Sequence, residues 1–234
     1  MQPLVEIRDL FFEYDDGTRA LDGVNFELYS GECVVLLGTN GSGKTTFLLH
    51  LNGLLTGKRP IRVCGLEVNR KNAAELRRRV GVVFQDSDDQ LFMPTVIEDV
   101  AFGPLNEGLS LKSAWEKAAA RLEEVGVLHV KDKAPYHLSS GEKRRVALAG
   151  ILAMTPEILV LDEPTTSLDP PAQRELVEIL RRLPQAKVIA THDVHFARAI
   201  GTRAVFFERG SIIASGPVSE IVSRFRWDVS EEGS

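Results

Sequence analysis

The stretch that decides the fold of this chain occupies residues 38–45 and reads Gly38-Thr39-Asn40-Gly41-Ser42-Gly43-Lys44-Thr45. It follows an apolar run at residues 34–37 and precedes a segment that is predicted to be helical. Glycines let the backbone curl until successive N–H groups point into one concavity, and the following helix adds its positive N-terminal end. The pattern therefore predicts a phosphate-binding loop for a nucleoside triphosphate. In such a loop Lys44 pairs with the β- and γ-phosphates, and Thr45 supplies a hydroxyl ligand for Mg²⁺.

A second segment with functional side chains is an apolar strand that ends in two carboxylates, Ile158-Leu159-Val160-Leu161-Asp162-Glu163. In α/β folds ligands bind at the carboxyl ends of buried strands, so this strand delivers acids to a ligand site. We expect Asp162 to hold Mg²⁺ and Glu163 to orient or deprotonate an attacking water. The alternative is a solvated strand end, and the phosphate loop upstream favours the functional interpretation.

The remaining pattern predicts an α/β fold. Up to about residue 35, apolar and polar residues alternate, which is typical of antiparallel strands that cover one side of a core. Continuous apolar runs at 34–37, 80–84, 158–161 and 187–190 are typical of parallel strands buried on both faces. A helix capped by Asp169 is predicted to extend to about residue 183, and a hairpin over 204–215 to turn at Arg209-Gly210.

Between residues 86 and 156 the pattern is helical. Thr95 with Glu98, and Ser113 with Glu116, have the spacing of capping boxes that begin helices. We expect this block to be a helical subdomain inserted between two strands of the core. The predicted division is a nucleotide-binding core with the antiparallel β subdomain at 1–85 and 157–227, the helical subdomain at 86–156, and a disordered tail at 228–234.

Composition limits the possible partners. The net charge is −5 and the pI about 5.6, so there is no overall positive field to hold nucleic acid, and we expect no nucleic-acid partner. The basic clusters are interpreted as solvated helix faces. These clusters are Arg77-Arg78-Arg79, Lys143-Arg144-Arg145 and Arg181-Arg182.

The cysteines and the N-terminus suggest where the protein is kept. Cys33 and Cys64 each lie beside an apolar run, which suits small buried hydrophobes in a reducing compartment better than a disulfide or metal site. The N-terminus lacks the pattern of a signal peptide, and no apolar run approaches the roughly 20 residues that a membrane span requires. We expect a cytosolic protein that reaches a membrane only through a partner.

A third segment, Leu138-Ser139-Ser140-Gly141-Glu142, precedes a predicted helix over 142–153. Small residues at a helix start can accept an anion on the backbone N–H groups and on the Ser139 hydroxyl. Taken alone, the segment is equally an ordinary N-cap. Its position between the other two motifs favours the anion-binding interpretation.

In their order along the chain these motifs resemble those of ATP-binding-cassette ATPases over nearly the whole length. The ordered set is the phosphate loop, Gln85 after a strand, the Leu-Ser-x-Gly signature at 138–141, Asp162-Glu163, Ser167-Leu168-Asp169 and Thr191-His192-Asp193. The resemblance implies a P-loop NTPase core with a mixed, RecA-like sheet, an N-terminal antiparallel β subdomain and an inserted α-helical subdomain. It also implies ATP hydrolysis with ATP and Mg²⁺ bound.

The resemblance carries roles over residue by residue. Tyr14 matches the aromatic that stacks on adenine, with a half-buried strand aromatic as the alternative. Gln85 matches the residue that touches Mg²⁺ and the attacking water and relays the state of the site to the helical subdomain, with an exposed loop residue as the alternative. His192 matches a switch histidine on the γ-phosphate. Asp169 matches a loop that communicates across a dimer, and it is also placed to cap its helix.

The implied site residues fall into three groups. The catalytic group is Glu163, His192, Gln85 and Lys44. The nucleotide-binding group is Tyr14, Gly38, Thr39, Asn40, Gly41, Ser42, Gly43, Lys44, Thr45, Thr46, Ser139, Ser140, Gly141 and Asp169. The metal-binding group is Thr45, Gln85 and Asp162.

The signature departs from the pattern usual in the resembled family. Members commonly carry two glycines there, and this chain has Ser140 in place of the first and Glu142 where glutamine is common. A Cβ close to a phosphate could lower affinity or rate, whereas Ser139 and Gly141 are retained. The resemblance implies a head-to-tail dimer in which the signature of one subunit closes the ATP site of the other. The second subunit is another copy of this chain or a paralogous ATPase.

A narrower resemblance lies downstream of Gln85. Residues 84–92 (FQDSDDQLF), 95–104 (TVIEDVAFGP) and 141–147 (GEKRRVA) are similar to energy-coupling-factor and cobalt/nickel uptake ATPases. In that group the stretch forms part of a groove for the transmembrane subunits. The resemblance implies an ATP-hydrolysing subunit of an uptake transporter, peripheral on the cytoplasmic face of the cell membrane, with cobalt or nickel as the solute.

Two alternatives stay open at this point. A soluble ABC ATPase of cofactor assembly has a similar size, whereas chromosome-maintenance types need long heptad insertions that this sequence lacks. A non-hydrolytic regulatory or scaffold protein is the other, and Glu163 and His192 argue against it. The sequence identifies neither the transported solute nor the choice between homodimer and heterodimer.

Overall fold

A computed structural model describes residues 2–57 and 61–227 of the chain. Within these residues lie ten β-strands and eight α-helices. The strands are β1 (Val5–Glu13), β2 (Arg19–Leu28), β3 (Cys33–Leu37), β4 (Arg62–Val63), β5 (Leu66–Glu67), β6 (Val80–Val83), β7 (Ile158–Asp162), β8 (Ala186–Ala190), β9 (Arg203–Glu208) and β10 (Ser211–Gly216). The helices are α1 (Lys44–Leu51), α2 (Ala73–Arg79), α3 (Val96–Asn106), α4 (Leu111–Glu124), α5 (Ser140–Leu152), α6 (Pro170–Arg182), α7 (Val194–Ile200) and α8 (Val218–Arg224). The predicted tail at 228–234 lies outside the described residues.

A six-stranded sheet forms the centre of the fold, with the strand order β10-β9-β3-β8-β7-β6. Strands β9, β3, β8, β7 and β6 are parallel, and β10 runs antiparallel to β9. The four strands predicted from continuous apolar runs, β3, β6, β7 and β8, are buried at every residue. Because both faces of these strands are covered, the prediction of parallel strands is confirmed.

A four-stranded antiparallel sheet, β2-β1-β4-β5, covers one side of the core. In β1 and β2 the buried side chains, among them Ile7 and Phe26, alternate with exposed or half-buried ones, as predicted from the first 35 residues. These side chains share a hydrophobic core with Phe47 of α1 and Phe207 of β9. The second sheet therefore packs against the helix that follows the phosphate loop.

Helices α3, α4 and α5 connect β6 to β7 and form a second hydrophobic core with α6 and α7. The predicted capping box of Thr95 and Glu98 is confirmed at the start of α3. The one predicted for Ser113 and Glu116 is wrong, because α4 begins earlier and Ser110 is its N-cap, accepting a hydrogen bond from the Ser113 N–H. The division of the chain at residues 86 and 156 stays a prediction.

The later elements follow the predicted order. Asp169 caps α6 by accepting the Ala172 N–H at 2.9 Å, and Pro170 is the first helical residue. Strands β9 and β10 form the predicted hairpin, which turns at Arg209-Gly210, both with positive φ. None of the helices formed by residues 2–57 and 61–227 combines the length and the hydropathy that a membrane span needs.

Candidate functional site

The phosphate loop joins β3 to α1, so its N–H groups lie at the start of a helix. Gly38, Gly41 and Gly43 have positive φ values of 140°, 75° and 106°. An added Cβ would lie 2.2 Å from the Phe207 carbonyl oxygen at Gly38. The loop therefore has the curled backbone predicted from its glycines, and neighbouring strands hold it closely.

Lys44 is folded back onto this loop. Its Nζ donates to the carbonyl oxygens of Gly38 at 2.6 Å and Thr39 at 3.0 Å. Burial lowers the pKa of Lys44, while the charges of Glu163 and Asp162 raise it. The Ser42 hydroxyl is buried without a hydrogen-bond partner among the described residues. A buried ammonium and an unpaired buried hydroxyl beside a helix start fit a bound phosphate.

Thr45 and Asp162 meet across the sheet edge. The Thr45 hydroxyl donates to Oδ2 of Asp162 at 2.7 Å, and Asp162 is the last residue of β7. Burial raises the pKa of Asp162, against the opposing effects of the Thr45 hydrogen bond and the Lys44 charge. A hydroxyl and a carboxylate are hard oxygen donors, which suits Mg²⁺. The two predicted metal ligands thus lie in contact, and they fit the ion.

Glu163 follows Asp162 directly and has a strained backbone. Its φ is 44°, and its N–H donates to the Ala190 carbonyl oxygen at 2.9 Å. A hydrogen bond of 2.8 Å joins Oε2 of Glu163 to Nδ1 of His192. A non-glycine residue in the left-handed region is costly, and such residues cluster at functional sites. The carboxylate is therefore held in a fixed position beside the end of β7.

Seven of the fourteen predicted nucleotide-binding residues line one cleft of about 320 Å³, together with three predicted catalytic or metal-binding residues. The predicted members are Tyr14, Asn40, Gly41, Gly43, Lys44, Thr45, Thr46, Gln85, Asp162 and Glu163. Tyr14 lies at its edge, 38% exposed, and its hydroxyl is hydrogen-bonded to that of Thr46 at 3.0 Å. Sequence reasoning missed Thr18, Arg19 and Ala20, which line the cleft from the turn before β2 and its first residues. No motif marks these three residues.

Gln85 also borders a larger cleft of about 910 Å³, which it shares with Thr45, Asp162 and Ser140. The same cleft contains Arg144, and here the sequence interpretation is wrong: Arg144 is 4% exposed and does not belong to a solvated helix face. Its guanidinium donates to the carbonyl oxygens of Phe84 and Gln85. The run of three basic residues in the sequence does not predict this contact, because the contact depends on how α5 packs against β6.

The signature residues cap α5. The Ser139 side chain accepts the Glu142 N–H, and the Glu142 carboxylate accepts from the Ser139 N–H at 2.8 Å, which makes a capping box. The Ser140 hydroxyl donates to the Ser167 carbonyl oxygen at 2.9 Å. Within the described part of the chain, Ser139, Gly141 and Asp169 line neither of the two clefts. One chain therefore does not bring them together with Lys44.

Comparison with known sequences identifies the family. The sequence profile of the ABC transporter family matches residues 21–166. A protein of Geobacter sulfurreducens, provisionally assigned as an ABC transporter ATP-binding protein, is 50% identical over 219 residues, 93% of this chain and 88% of that protein. An energy-coupling factor transporter ATP-binding protein of Methanothermobacter thermautotrophicus is 46% identical over 224 residues, 93% of this chain and 72% of that protein.

Solved structures show the same fold. The protein cbiO1 of Clostridium perfringens, part of the ABC transporter complex cbiONQ, superposes with a TM-score of 0.87 at 35% identity, covering 96% of this chain and 92% of that one. A dimeric ATP-binding cassette bound to ADP and Pi in a post-hydrolysis state superposes with a TM-score of 0.82 at 26% identity. The match covers 92% of this chain and 98% of that one. These matches confirm the predicted α/β fold. The chain belongs to the ABC transporter family and is one of its ATP-binding, ATP-hydrolysing subunits.

Proposed function

We propose that this chain energises an uptake transporter of the energy-coupling-factor class, with cobalt or nickel as the solute. It acts as a peripheral subunit on the cytoplasmic face of the cell membrane. The observation that carries the ATP-hydrolysing role is the convergence of the phosphate loop, the Thr45–Asp162 pair and the Glu163–His192 pair at one sheet edge. The names of the energy-coupling factor relative and of the cbiONQ complex support the transporter class.

Nucleotide binding is assigned to the smaller cleft. The N–H groups of the loop and the Lys44 ammonium hold the phosphates, because both lie at the N-terminal end of α1. Lys44 exchanges its two carbonyl acceptors for phosphate oxygens, which form stronger charge-assisted bonds. Tyr14, hydrogen-bonded to Thr46, offers its ring to the adenine at the edge of the cleft.

Thr45 and Asp162 are the residues that would hold Mg²⁺, and Gln85, which lines the same cleft, would complete the group. When bound there, Mg²⁺ would offset negative charge on the phosphates. Glu163 orients the attacking water and takes its proton on a carboxylate oxygen. The His192 imidazole, hydrogen-bonded to Oε2 of Glu163, fixes that carboxylate. Its proposed second partner is the γ-phosphate.

The working unit is a head-to-tail dimer. Ser139, Gly141 and Asp169 line neither cleft of their own chain among the described residues, so they are available to close the site of another subunit. The dimeric cassette with similar structure supports this arrangement. In the proposed cycle ATP closes the dimer, and hydrolysis removes the γ-phosphate that holds it closed.

The transmembrane subunits dock near residues 85–92. Phe92 is 64% exposed, and its ring packs edge-on against that of Phe102, with centroids 5.0 Å apart. An exposed aromatic pair beside the segment that carries Gln85 suits an apolar partner helix. Docking at this place would couple the movement of the transporter to the nucleotide site.

Uptake of labelled cobalt and nickel by cells that lack the gene for this chain tests the proposal. The wild-type chain is expected to restore accumulation of one of the two metals, and Glu163→Gln is not. The matched control is Glu178→Gln, the same change on the exposed side of α6, which should restore uptake fully. Unaltered accumulation of both metals in the deletion strain would contradict the assignment of the solute.

A further inference from the structure

Arg144 links the signature helix to the segment that carries Gln85. It is the fifth residue of α5, the helix that begins at Ser140. Its Nη1 donates to the Phe84 carbonyl oxygen and its Nη2 to the Gln85 carbonyl oxygen, each at 2.6 Å. Because the guanidinium is planar and rigid, two successive carbonyls held by one fork fix the local backbone in position and in direction.

The charge of Arg144 has no other strong partner in the described part of the chain. Its Nε is buried without a hydrogen-bond partner, and no salt bridge within 4.0 Å involves it there. Burial lowers the pKa of Arg144, and the charge of Asp86 raises it. A buried cation is costly unless it is hydrogen-bonded, so displacement of the two carbonyls would leave this charge unsatisfied. The link between α5 and the Gln85 backbone is therefore stiff.

Two further contacts limit how the segment can move. The Gln90 side chain accepts the Phe84 N–H at 2.9 Å and donates to the Val82 carbonyl oxygen at 3.0 Å, which ties the far side of the segment to β6. Lys143 pairs with Asp88 at 2.5 Å on the outer side. Between these fixed points, Gln85 can change its position mainly when α5 shifts.

Gln85 and Arg144 share the larger cleft with Thr45 and Asp162. A shift of α5 would thus change the distance between the Gln85 side chain and the Thr45–Asp162 pair. The same helix carries Ser139 at its cap and Gly141 in its first turn. One rigid element therefore connects a residue of this chain's own nucleotide site to residues that serve the site of a second subunit.

We propose that Arg144 is a positioning residue for ATP hydrolysis. It couples the position of Gln85 in the nucleotide site of its own subunit to the docking of α5 at the nucleotide site of the second subunit. The inference rests on the roles proposed above for Gln85 and for the signature residues. When α5 of one subunit contacts the nucleotide bound to a second subunit, Gln85 moves into position in the nucleotide site of the first subunit. ATP hydrolysis at the two sites is therefore cooperative.

The test compares Arg144→Ala and Arg144→Lys with Arg181→Ala. Arg181 also donates from its guanidinium to a backbone carbonyl, that of Ala199, but between α6 and α7. For Arg144→Ala, kcat is expected to fall about ten- to a hundredfold because Gln85 is misplaced, and the Hill coefficient for ATP should fall towards one. The Kd of a fluorescent ATP analogue should stay within about twofold of wild type, since Lys44 and its loop are unaltered. Arg181→Ala should change neither rate nor cooperativity.

Thermal unfolding identifies any variant that fails to fold. If Arg144→Ala is unfolded, Arg144→Lys decides, because it keeps the charge but lacks the fork that holds two carbonyls. A lowered kcat with unchanged nucleotide affinity in Arg144→Lys supports the proposal. Wild-type kcat and wild-type Hill coefficient in whichever Arg144 variant folds would overturn it.

A double-mutant cycle with Gln85→Ala tests whether Arg144 acts through Gln85. If it does, adding Arg144→Ala to Gln85→Ala lowers kcat by less than about twofold further. If the fold-reductions in kcat of the two single variants multiply in the double variant, Arg144 does not act through Gln85. Loss of rate in Gln85→Ala without loss in Arg144→Ala overturns this inference alone. Wild-type rate in Gln85→Ala would overturn both this inference and the role of Gln85 in the proposed function.

Discussion

The Lys44 ammonium is buried, yet its hydrogen bonds go to carbonyl oxygens of its own loop rather than to a carboxylate. Its Nζ lies 2.6 Å from the Gly38 oxygen and 3.0 Å from the Thr39 oxygen. Two neutral acceptors compensate a buried charge less well than an anion does. The residue is therefore poised to exchange these acceptors for phosphate oxygens.

Lys44→Ala is expected to weaken ATP binding by about ten- to a hundredfold, the loss of one strong charge-assisted contact. Titration with a fluorescent ATP analogue measures the effect. Lys112→Ala, which removes the same charge from the exposed start of α4, is the control and should bind normally. Unchanged affinity in Lys44→Ala would contradict the assignment of the phosphate loop.

The buried thiol of Cys33 is expected to make the free energy of unfolding depend on pH. Burial raises the pKa of its thiol to about 12, so the folded state keeps the proton while the unfolded state loses it near the ordinary value of about 8.5. The unfolded state then binds fewer protons, and stability falls as the pH rises through this window. At pH 9.5 the loss from this group is on the order of 1 kcal/mol. Urea unfolding at pH 7.5 and 9.5 should show a smaller decrease for Cys33→Ala than for the wild type. An equal decrease in both would refute the effect.

Among the elements, the phosphate loop depends on backbone that only glycine fits. Gly43 has a φ of 106°, and a Cβ there would lie 2.5 Å from the Ala20 carbonyl oxygen. Gly17 has a φ of 86° with nothing within 4 Å of the same position. An alanine at either position would have a strained positive φ, but only at Gly43 would its Cβ also clash with neighbouring atoms.

Gly43→Ala is therefore expected to lower the free energy of unfolding by about 1–3 kcal/mol more than Gly17→Ala does. Denaturant unfolding of the two variants provides the comparison, and Gly17→Ala serves as the control for strain alone. Equal losses in both variants would show that the loop tolerates the added methyl group.

The exposed aromatic pair of Phe92, which precedes α3, and Phe102, which lies within α3, predicts a docking surface. Phe92→Asp places a charge in the proposed groove, so the chain should no longer co-purify with integral membrane proteins while its own phosphate release continues. Ile213→Asp, at an exposed position on β10, is the control and should keep its partners. Membrane partners retained by Phe92→Asp would exclude this surface as the docking site.

Single elements were predictable from sequence where the signal is local. Continuous apolar runs predicted β3, β6, β7 and β8, and Asp169 followed by Pro170 predicted the start of α6. The start of α4 was assigned to Ser113 because Glu116 completes a capping pattern, whereas Ser110 is the N-cap. The two-residue strands β4 and β5 are too short to show a periodicity, and they form through pairing of β4 with β1 and of β5 with β4.

At the scale of the whole molecule, contacts between distant segments decide the site. Thr45 and Asp162 were each predicted to hold Mg²⁺, Thr45 from the phosphate-loop pattern and Asp162 from its place at the end of an apolar strand, and a hydrogen bond joins them. The link from Arg144 to Phe84 and Gln85, and that from Ser140 to Ser167, were not predictable. They depend on how α5 packs against β6 and against the segment before α6, which no local pattern records.

The architecture of the molecule also separates two groups of the predicted site residues. Glu163 and His192 lie with the phosphate loop, whereas Ser139 and Asp169 cap helices α5 and α6 and, in the described residues, line neither cleft. This separation supports the proposed head-to-tail dimer, in which a second chain would complete the site. The proposed transporter role adds membrane subunits, whose movement this dimer would drive.

The most direct test is purification of the tagged wild-type chain and of Glu163→Gln from detergent-solubilised native membranes with ATP and Mg²⁺, followed by measurement of phosphate release. We predict that both bring down the same integral membrane proteins in a fixed ratio, and that only the wild-type complex releases phosphate at more than a background rate. Soluble partners alone, or equal phosphate release from the two complexes, would contradict the account.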